Sequence, residues 1–153
     1  MWKAEQPILD TVDLLAQTEF FSDLDASQLD RISEICRLET HPGDNDIYHL
    51  GEPAEDLYVL IDGMVRFTIG MGVRKASAGE IIRRGEVFGW AALAKGTTKR
   101  VANAYCLTSG CTVLAIRGRD LQELMEKDNR IGYRIMNRLN VLITGHLTAF
   151  AAG

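Results

Sequence analysis

Short apolar runs separated by glycine turns at regular intervals are the feature that most constrains the fold of this chain. The clearest pair, residues 58–61 and 64–69, flanks Asp62 and Gly63, a pattern that predicts a β-hairpin. Other turn sequences lie at residues 41–45, 70–72 and 79. Many short strands with turns at this interval favour a barrel or a jelly roll. With 153 residues, the chain is long enough for one core and too short for two independent ones.

Helical patterns lie on both sides of the predicted strands. Residues 8–15 and 24–38 carry apolar residues at helical spacing, and Asp25 with Gln28 forms a capping pattern that starts the second helix. Asp120 is a candidate cap for a helix after the strands. We therefore expect a single domain over 1–153, with N-terminal helices over about 5–38, a β-barrel over about 39–117 and C-terminal helices over about 119–150.

The last helical segment carries one long apolar stripe, made of Ile131, Ile135, Leu139, Leu142, Ile143, Leu147 and Phe150. A stripe of this length exceeds what a small barrel usually covers. We therefore predict that part of it meets a second copy of the chain and forms a homodimer. The alternative is that the helix folds back on its own barrel.

The charge of the chain is unevenly distributed. Its net charge is −4, which argues against general nucleic-acid binding. Residues 1–63 hold 15 acidic and 3 basic residues, whereas residues 64–153 hold 6 acidic and 14 basic ones. A basic half can attract an anionic ligand, unless the fold mixes the two halves and the charges offset one another. No apolar run approaches the ~20 residues that span a bilayer, and the first residues lack a signal-peptide pattern, so we expect a cytoplasmic protein without a membrane partner.

Residues with catalytic or metal-binding chemistry are few and scattered. Cys106 and Cys111 lie five residues apart in a predicted strand, where they would point to opposite faces, so we expect these cysteines and Cys36 to be small buried or half-buried thiols. The three histidines form no His-x-His pair, and no nucleophile elbow occurs. The sequence therefore predicts no enzyme, no metal site and no cofactor.

Residues 85–93 and Arg100 form the most informative motif. A glycine turn that opens onto a short apolar helical segment, with an arginine one loop later, can hold a phosphate. The guanidinium can donate two parallel hydrogen bonds to a phosphate, and backbone amides at the helix start can supply the rest. We predict phosphate contacts from Arg100 and from the backbone of residues 89–92.

This motif, with Phe88-Gly89, Ala91-Ala92-Leu93 and the later Arg100, resembles the phosphate-binding cassette of the cyclic nucleotide-binding domain family. The family includes the sensor modules of catabolite activator proteins, of cyclic-nucleotide-dependent kinases and of gated channels. The resemblance implies a mainly β, cupin-like jelly-roll barrel (a double-stranded β-helix) flanked by N-terminal and C-terminal helices. It also implies dimers formed through the last helix and a set of ligand-binding residues, namely Phe88, Gly89, Trp90, Ala91, Ala92, Arg100 and Val101.

Two positions depart from the family pattern. Trp90 stands where the family has the glutamate that accepts hydrogen bonds from the ribose, and Val101 stands where a small residue follows the arginine. An indole donates one hydrogen bond and accepts none, so Trp90 cannot replace a glutamate that faces a diol. The phosphate half of the motif is therefore kept, whereas the sugar half is lost.

We accordingly expect a stand-alone regulatory or sensor domain that binds a small anionic ligand, such as cyclic AMP or cyclic GMP, and signals through its C-terminal helix. The alternative is a protein-interaction module that kept the barrel and lost nucleotide binding, with Trp90 and Val101 serving a protein partner. The sequence contains no recognition helix after the barrel, so direct DNA binding is not expected.

Overall fold

The computed structural model of the chain describes residues 10–70, 72–96, 98–145 and 149–153. Within these residues the strands are β1 (Cys36–His41), β2 (Asp46–Tyr48), β3 (Asp56–Asp62), β4 (Val65–Ile69), β5 (Ala76–Ser77), β6 (Val87–Phe88), β7 (Asn103–Cys106) and β8 (Cys111–Arg117). They form two four-stranded antiparallel sheets, with the orders β1-β8-β3-β6 and β2-β7-β4-β5.

Helices flank the two sheets on both sides in sequence. The α-helices are α1 (Thr11–Ala16), α2 (Ala26–Ser33), α3 (Gly118–Lys127) and α4 (Asn129–Thr144), and the 3₁₀ helices are Glu19–Phe21, Gly72–Arg74, Trp90–Leu93 and Ala149–Ala152. One apolar core fills the space between the sheets, and a second joins the α-helices to the outer face of the first sheet. This arrangement confirms the predicted class, a mainly β jelly roll with flanking helices.

The start of α2 follows the sequence pattern. The Asp25 carboxylate accepts a hydrogen bond from the Gln28 N–H at 2.9 Å, and the Gln28 side chain accepts one from the Asp25 N–H at 3.0 Å. The helix ends at Ser33 and β1 begins at Cys36, so the helical pattern predicted to reach residue 38 is wrong at its end. The part of the predicted first helix before residue 10 lies outside the described residues.

The predicted hairpin across Asp62 and Gly63 is wrong, although both of its strands exist. β3 pairs with β8 on one side and with β6 on the other, whereas β4 pairs with β7 and β5 in the second sheet. Both edges of β3 are therefore occupied, and the turn at Gly63 carries the chain from one sheet to the other. A turn sequence alone does not distinguish a hairpin from such a crossing.

The expectation for Cys106 and Cys111 is also wrong, because these two residues form a disulfide with a Cα–Cα distance of 5.8 Å. The strand breaks at residues 107–110, which places Cys106 at the end of β7 in the second sheet and Cys111 at the start of β8 in the first. Both side chains then point into the space between the sheets. Cys36 is a free, half-buried thiol, and its burial raises its pKa to about 12.

Three turns meet at this end of the barrel. A Cβ atom on Gly43 would lie 2.0 Å from the main-chain oxygen of Thr108, and one on Gly63 would lie 2.5 Å from that of Gly110. Only glycine permits such close contact between main chains. The turns and the disulfide therefore close the barrel at the end where β3 reaches Asp62.

The end of the chain differs from the predicted continuous helix. α4 ends at Thr144, and Phe150 lies in the separate 3₁₀ helix Ala149–Ala152, while Leu147 lies outside the described residues. The apolar face of α4 packs on its own domain through the buried residues Ile131, Ile135 and Leu139. Asp120 lies in the first turn of α3 and is not its cap, since that helix already begins at Gly118.

No helix among the described residues is both long and apolar enough to cross a membrane.

Candidate functional site

The predicted cassette lies beside β3, at the end opposite the disulfide. β6 pairs with β3 through Tyr58 opposite Phe88 and Val59 opposite Val87. Gly89 follows in the left-handed conformation, with φ of 74°, and turns the chain from β6 into the 3₁₀ helix Trp90–Leu93. Since left-handed backbone strains other residue types, glycine suits this turn. The turn leaves the N–H groups of Gly89 and Ala91 free to donate outside the helix.

Arg100 lies at the centre of the site and is only 3% exposed. Its Nη1 donates to the main-chain oxygens of Gly89, at 2.9 Å, and Gly153, at 2.8 Å, and its Nη2 donates to the main-chain oxygen of Asp56. The guanidinium carbon also lies 4.1 Å from the centre of the Tyr48 ring, a cation–π distance. Three segments far apart in sequence are thus joined by one side chain.

The guanidinium of Arg100 lies near the Asp56 and Glu52 carboxylates but is not paired with either of them. Among the described residues, no aspartate or glutamate forms an ion pair with Arg100, and the nearby Asp56 carboxylate pairs with Arg37 at 3.0 Å. Burial lowers the pKa of Arg100, because desolvation disfavours the charged form. The Nε atom of Arg100 is buried without a hydrogen-bond partner. The site therefore holds a desolvated cation with no direct acidic side-chain partner among the described residues, although Asp56 and Glu52 act on its charge at longer range.

Aromatic rings form one wall of the site. The Tyr58 and Phe88 rings stack with their centroids 5.1 Å apart, and the Tyr48 ring stacks on Tyr58 at 6.1 Å. Burial raises the pKa of Tyr58 to about 12 and that of Tyr48 further, so both phenols are neutral at physiological pH. The Tyr48 hydroxyl is buried without a hydrogen-bond partner.

Residues 149–153, called here the 149–153 segment, lie directly on the cassette. The N–H of Gly89 donates to the main-chain oxygen of Ala152 at 2.6 Å, and the N–H of Ala91 donates to that of Gly153 at 3.3 Å. The side chain of Ala151 is 1% exposed and packs in the core between the sheets. The donors predicted to hold a phosphate are therefore directed at main-chain oxygens of the same chain.

Trp90 supports this segment. A Cβ atom on Gly153 would lie 2.9 Å from the six-membered ring of Trp90, so the ring and the glycine main chain are in direct contact. The indole nitrogen of Trp90 is buried without a hydrogen-bond partner. Trp90, which the sequence resemblance predicts at the ribose position, is thus the residue on which Gly153 packs.

The structure brings most of the predicted site residues together, although not all of them. Phe88, Gly89, Trp90, Ala91 and Arg100 surround the 149–153 segment. Ala92 is buried, and its main-chain oxygen faces the start of α3. Val101 follows Arg100 but is 50% exposed.

Sequence reasoning missed three parts of the site. Tyr48 and the main chain of Asp56 both contact Arg100, and the 149–153 segment covers the cassette. No local pattern identifies Tyr48 or Asp56, because their contacts with Arg100 depend on how the two sheets face each other. The small residues 151–153 carry the signal that could have indicated a close approach to another part of the chain.

The sequence pattern of the family described as "Cyclic nucleotide-binding domain" matches residues 39–128, more than half of the chain. The chain belongs to the cyclic nucleotide-binding domain family. A protein named glutaminase 1, from Bradyrhizobium diazoefficiens, is 29% identical to this cyclic nucleotide-binding domain over 133 residues. The match covers 87% of this chain and 21% of that protein, so the chain spans about a fifth of the relative's length.

Solved structures share the fold. A candidate cyclic nucleotide-binding protein from Geobacter metallireducens GS-15 superposes with a TM-score of 0.75 at 23% identity, covering 92% of this chain and 99% of that one. The N-terminal domain of a transcriptional regulator from Streptomyces coelicolor A3(2) has a TM-score of 0.72 at 21% identity, with coverages of 87% and 92%. The regulatory domain of Toxoplasma gondii PKA, crystallised with cAMP, has a TM-score of 0.72 at 18% identity, with coverages of 89% and 49%.

Metal chemistry has no candidate centre in the part of the chain that the structure describes. No group of three or more histidine, cysteine, aspartate or glutamate side chains there is arranged to hold a metal ion.

Proposed function

We propose that this domain is a regulatory sensor that binds a small phosphorylated anion, of which a cyclic nucleotide is the first candidate, at the cassette of residues 88–101. Arg100 and the N–H groups of Gly89 and Ala91 are the proposed phosphate contacts. Occupancy of the site then changes the position of α3 and α4. The regulatory character of the family supports this reading over catalysis by the domain itself.

The burial of Arg100 without an acidic side-chain partner carries the proposal. Burying a charge is unfavourable unless it is paired, and chains usually place a carboxylate beside a buried arginine. Here the guanidinium instead contacts three main-chain oxygens and a ring, and its Nε is left without a partner. A phosphate would supply a directly paired negative charge and several acceptors in the geometry that a guanidinium prefers.

Trp90 narrows the class of ligand. Its indole offers one donor and no acceptor, so a ribose diol would find no acceptor at this position. Losing such a contact weakens binding by about 1–3 kcal/mol if the hydroxyl is buried. We therefore propose that the phosphate dominates recognition and that cyclic nucleotides bind less tightly here than in relatives with a glutamate.

Two contacts link the cassette to the helices and support a route for the signal. A Cβ atom on Gly118, the first residue of α3, would lie 2.0 Å from the main-chain oxygen of Ala92. The Gln122 side chain donates to the main-chain oxygens of Leu93, at 2.8 Å, and Ala94, at 3.1 Å. A displacement of the 3₁₀ helix Trp90–Leu93, called here the cassette helix, is thus passed directly to the first turns of α3, and α3 packs on α4.

A homodimer through α4 is part of the proposal, with a contact surface that differs from the predicted stripe. Ile131, Ile135 and Leu139 are buried in the domain itself, whereas Tyr133 is 73% exposed and Met136 is 46% exposed. Ile143 lies two turns further on the same side and is 41% exposed. Exposed apolar residues at this spacing suit a helix packed against a second copy. Sedimentation of the purified chain tests this, since Tyr133→Glu should convert a dimer into a monomer.

The direct test of ligand binding is calorimetric titration with cyclic AMP, cyclic GMP and a panel of phosphorylated metabolites. Arg100→Met should abolish binding of any ligand that the titrations identify. Arg84→Met, which removes the same charge from an exposed position, should change the dissociation constant by no more than about twofold. Unchanged binding in Arg100→Met would refute the site. At a hundred times its dissociation constant, a true ligand should add about 2.7 kcal/mol of stability, which gives an independent thermal readout.

The alternative function is a protein-interaction module without a ligand. It is favoured by one observation, the 149–153 segment on the cassette, which already meets the donors of Gly89, Ala91 and Arg100. The relative named glutaminase 1 extends far beyond the matched region, which makes an enzyme one candidate partner. Co-purification of a stoichiometric protein, together with no response to any anion in the titrations, would favour this function. A cytoplasmic location stays a prediction.

A further inference from the structure

The 149–153 segment and a phosphate would compete for the same donors. The N–H groups of Gly89 and Ala91 and the Nη1 of Arg100 all donate to main-chain oxygens of Ala152 or Gly153. These are the groups to which the proposed function assigns the phosphate. Because one N–H group cannot donate fully to two acceptors, the segment and an anion cannot occupy the cassette together.

We infer that the 149–153 segment is a built-in competitor, which closes the cassette at rest and must leave before a phosphorylated ligand can bind. This inference rests on the proposed function, because it concerns the same site. It adds that binding is coupled to release of the 149–153 segment, which lies a few residues after the end of α4 in the sequence. A ligand would therefore be detected by the release of the segment as well as by any movement of α3.

The packing around Gly153 shows that the segment has a fitted place. Trp90 contacts the main chain of Gly153 so closely that a larger residue would collide with the ring. Ala151 is buried between the sheets beside the cassette, whereas its neighbour Phe150 is 52% exposed. The Trp90 ring thus supports the segment at the position where the sequence resemblance predicts a glutamate facing a sugar.

Several polar groups of the same site lack a hydrogen-bond partner while the segment is in place. The Tyr48 hydroxyl, the Trp90 indole nitrogen and the Arg100 Nε are all buried without a partner while the segment is in place. A small open pocket of about 40 Å³ lies beside the segment, lined in part by Phe67, Trp90 and Ala152 and also by Glu80 and Glu86. Unpaired buried donors are unfavourable. A ligand with several acceptors can satisfy groups that the segment leaves unpaired.

If the segment must leave before a ligand binds, the closed state weakens the measured ligand affinity. When only a small fraction of molecules has an open site, the measured dissociation constant rises by the inverse of that fraction. If the segment is closed in nine molecules of ten or more, opening it should tighten ligand binding by about tenfold or more. Closing is intramolecular, so dilution of the protein does not weaken it.

Two variants open the site by different physical means, and a third is their control. Ala151→Glu places a charge in the buried core position, and Gly153→Leu drives a side chain against the Trp90 ring. Phe150→Glu adds the same charge as the first variant at an exposed position of the same segment. Circular dichroism and thermal melting identify any variant that fails to fold, and the other opener then carries the test.

The probe is cyclic AMP, measured by calorimetry on the full chain, with amide hydrogen exchange as a second readout that needs no ligand. We expect about tenfold tighter binding in Ala151→Glu and Gly153→Leu, and no change in Phe150→Glu. We also expect the Gly89 and Ala91 amides to be protected in the wild-type chain and to exchange faster in both openers. Added cyclic AMP should deprotect the amide of Gly153, which donates to Phe150 at 3.2 Å in the closed state.

The outcomes separate this inference from the proposed function. Equal affinity for cyclic AMP in all four chains would overturn the competitor and leave the sensor function standing. If no chain binds cyclic AMP, the proposal of cyclic AMP as the ligand fails. Hydrogen exchange at Gly89 and Ala91 then decides whether the segment closes the cassette. Rapid exchange at Gly89 and Ala91 in the wild-type chain would overturn the inference.

Discussion

Replacement of Arg100 by lysine tests how far the guanidinium shape, as opposed to its charge, holds the cassette against the barrel. Arginine donates to three main-chain oxygens, those of Gly89, Asp56 and Gly153, from two nitrogens of one planar group. A lysine ammonium keeps the charge, but it is compact and cannot match this fork. We expect the lysine in Arg100→Lys to keep one of the three hydrogen bonds.

The size of the effect follows from the two hydrogen bonds that are lost. A hydrogen bond to a charged group contributes about 1.5–3 kcal/mol, and Arg100 is buried, so water does not readily replace the missing donors. Two such losses give about 3 kcal/mol at the lower limit. For a domain of this size, that corresponds to a decrease in melting temperature of about 6–12 °C.

Equilibrium unfolding in urea, followed by circular dichroism, measures this directly. The midpoint should fall without a change in slope, because the same surface is exposed on unfolding. Arg84→Lys is the matched control, since its side chain is exposed and should change stability by no more than about 0.5 kcal/mol. A loss of less than about 1 kcal/mol in Arg100→Lys would show that the fork geometry does not stabilise the ligand-free domain.

Three further predictions concern other parts of the fold. Reduction of the Cys106–Cys111 disulfide should lower the free energy of unfolding by about 2 kcal/mol, as measured by urea unfolding with and without reductant. A thiol assay of the unreduced, denatured chain should find one free thiol and not three. The hydrogen bond from Arg138 lowers the pKa of Asp23. The stabilisation by this ion pair is therefore present above pH ~4 and is lost as the pH falls through the pKa of Asp23 in the folded state. Asp23→Asn should be less stable than the wild type at pH 7, and the difference in unfolding free energy should disappear in unfolding curves measured in acid. Gly118→Ala should destabilise the domain by about 1–3 kcal/mol, because its methyl group would overlap a main-chain oxygen of the cassette helix, and an unchanged urea midpoint would refute that contact.

The architecture was accessible from the sequence because local patterns determine most of its elements. The turn residues and short apolar runs predicted a mainly β fold, and Asp25 with Gln28 predicted the start of α2. The pairing of strands was not accessible in the same way. The turn at Gly63 fits a hairpin and a crossing between sheets equally well, and only the long-range pairing of β3 with β8 decides between them.

Several residues of the candidate site were predictable from the sequence, but the contact of the 149–153 segment with them was not. The motif identified Arg100 and the backbone near Gly89, which do lie together. It gave no sign that residues 149–153 cover them, because that contact joins positions more than fifty residues apart. The helical stripe suggested a continuous helix to Phe150, whereas Gly145 follows the end of α4 and the chain continues onto the cassette.

The tight meeting of turns at Gly43 and Gly63, beside the disulfide, gives the barrel two unlike ends. β3 runs from Asp56, next to Arg100, to Asp62, next to that sealed end, a distance of about 20 Å for an extended strand of this length. The barrel is therefore closed tightly at the Asp62 end of β3, whereas the cassette lies at the Asp56 end. The loss of hydrogen bonds from Arg100 at the Asp56 end should therefore leave the turns and the disulfide at the Asp62 end in place in the folded protein.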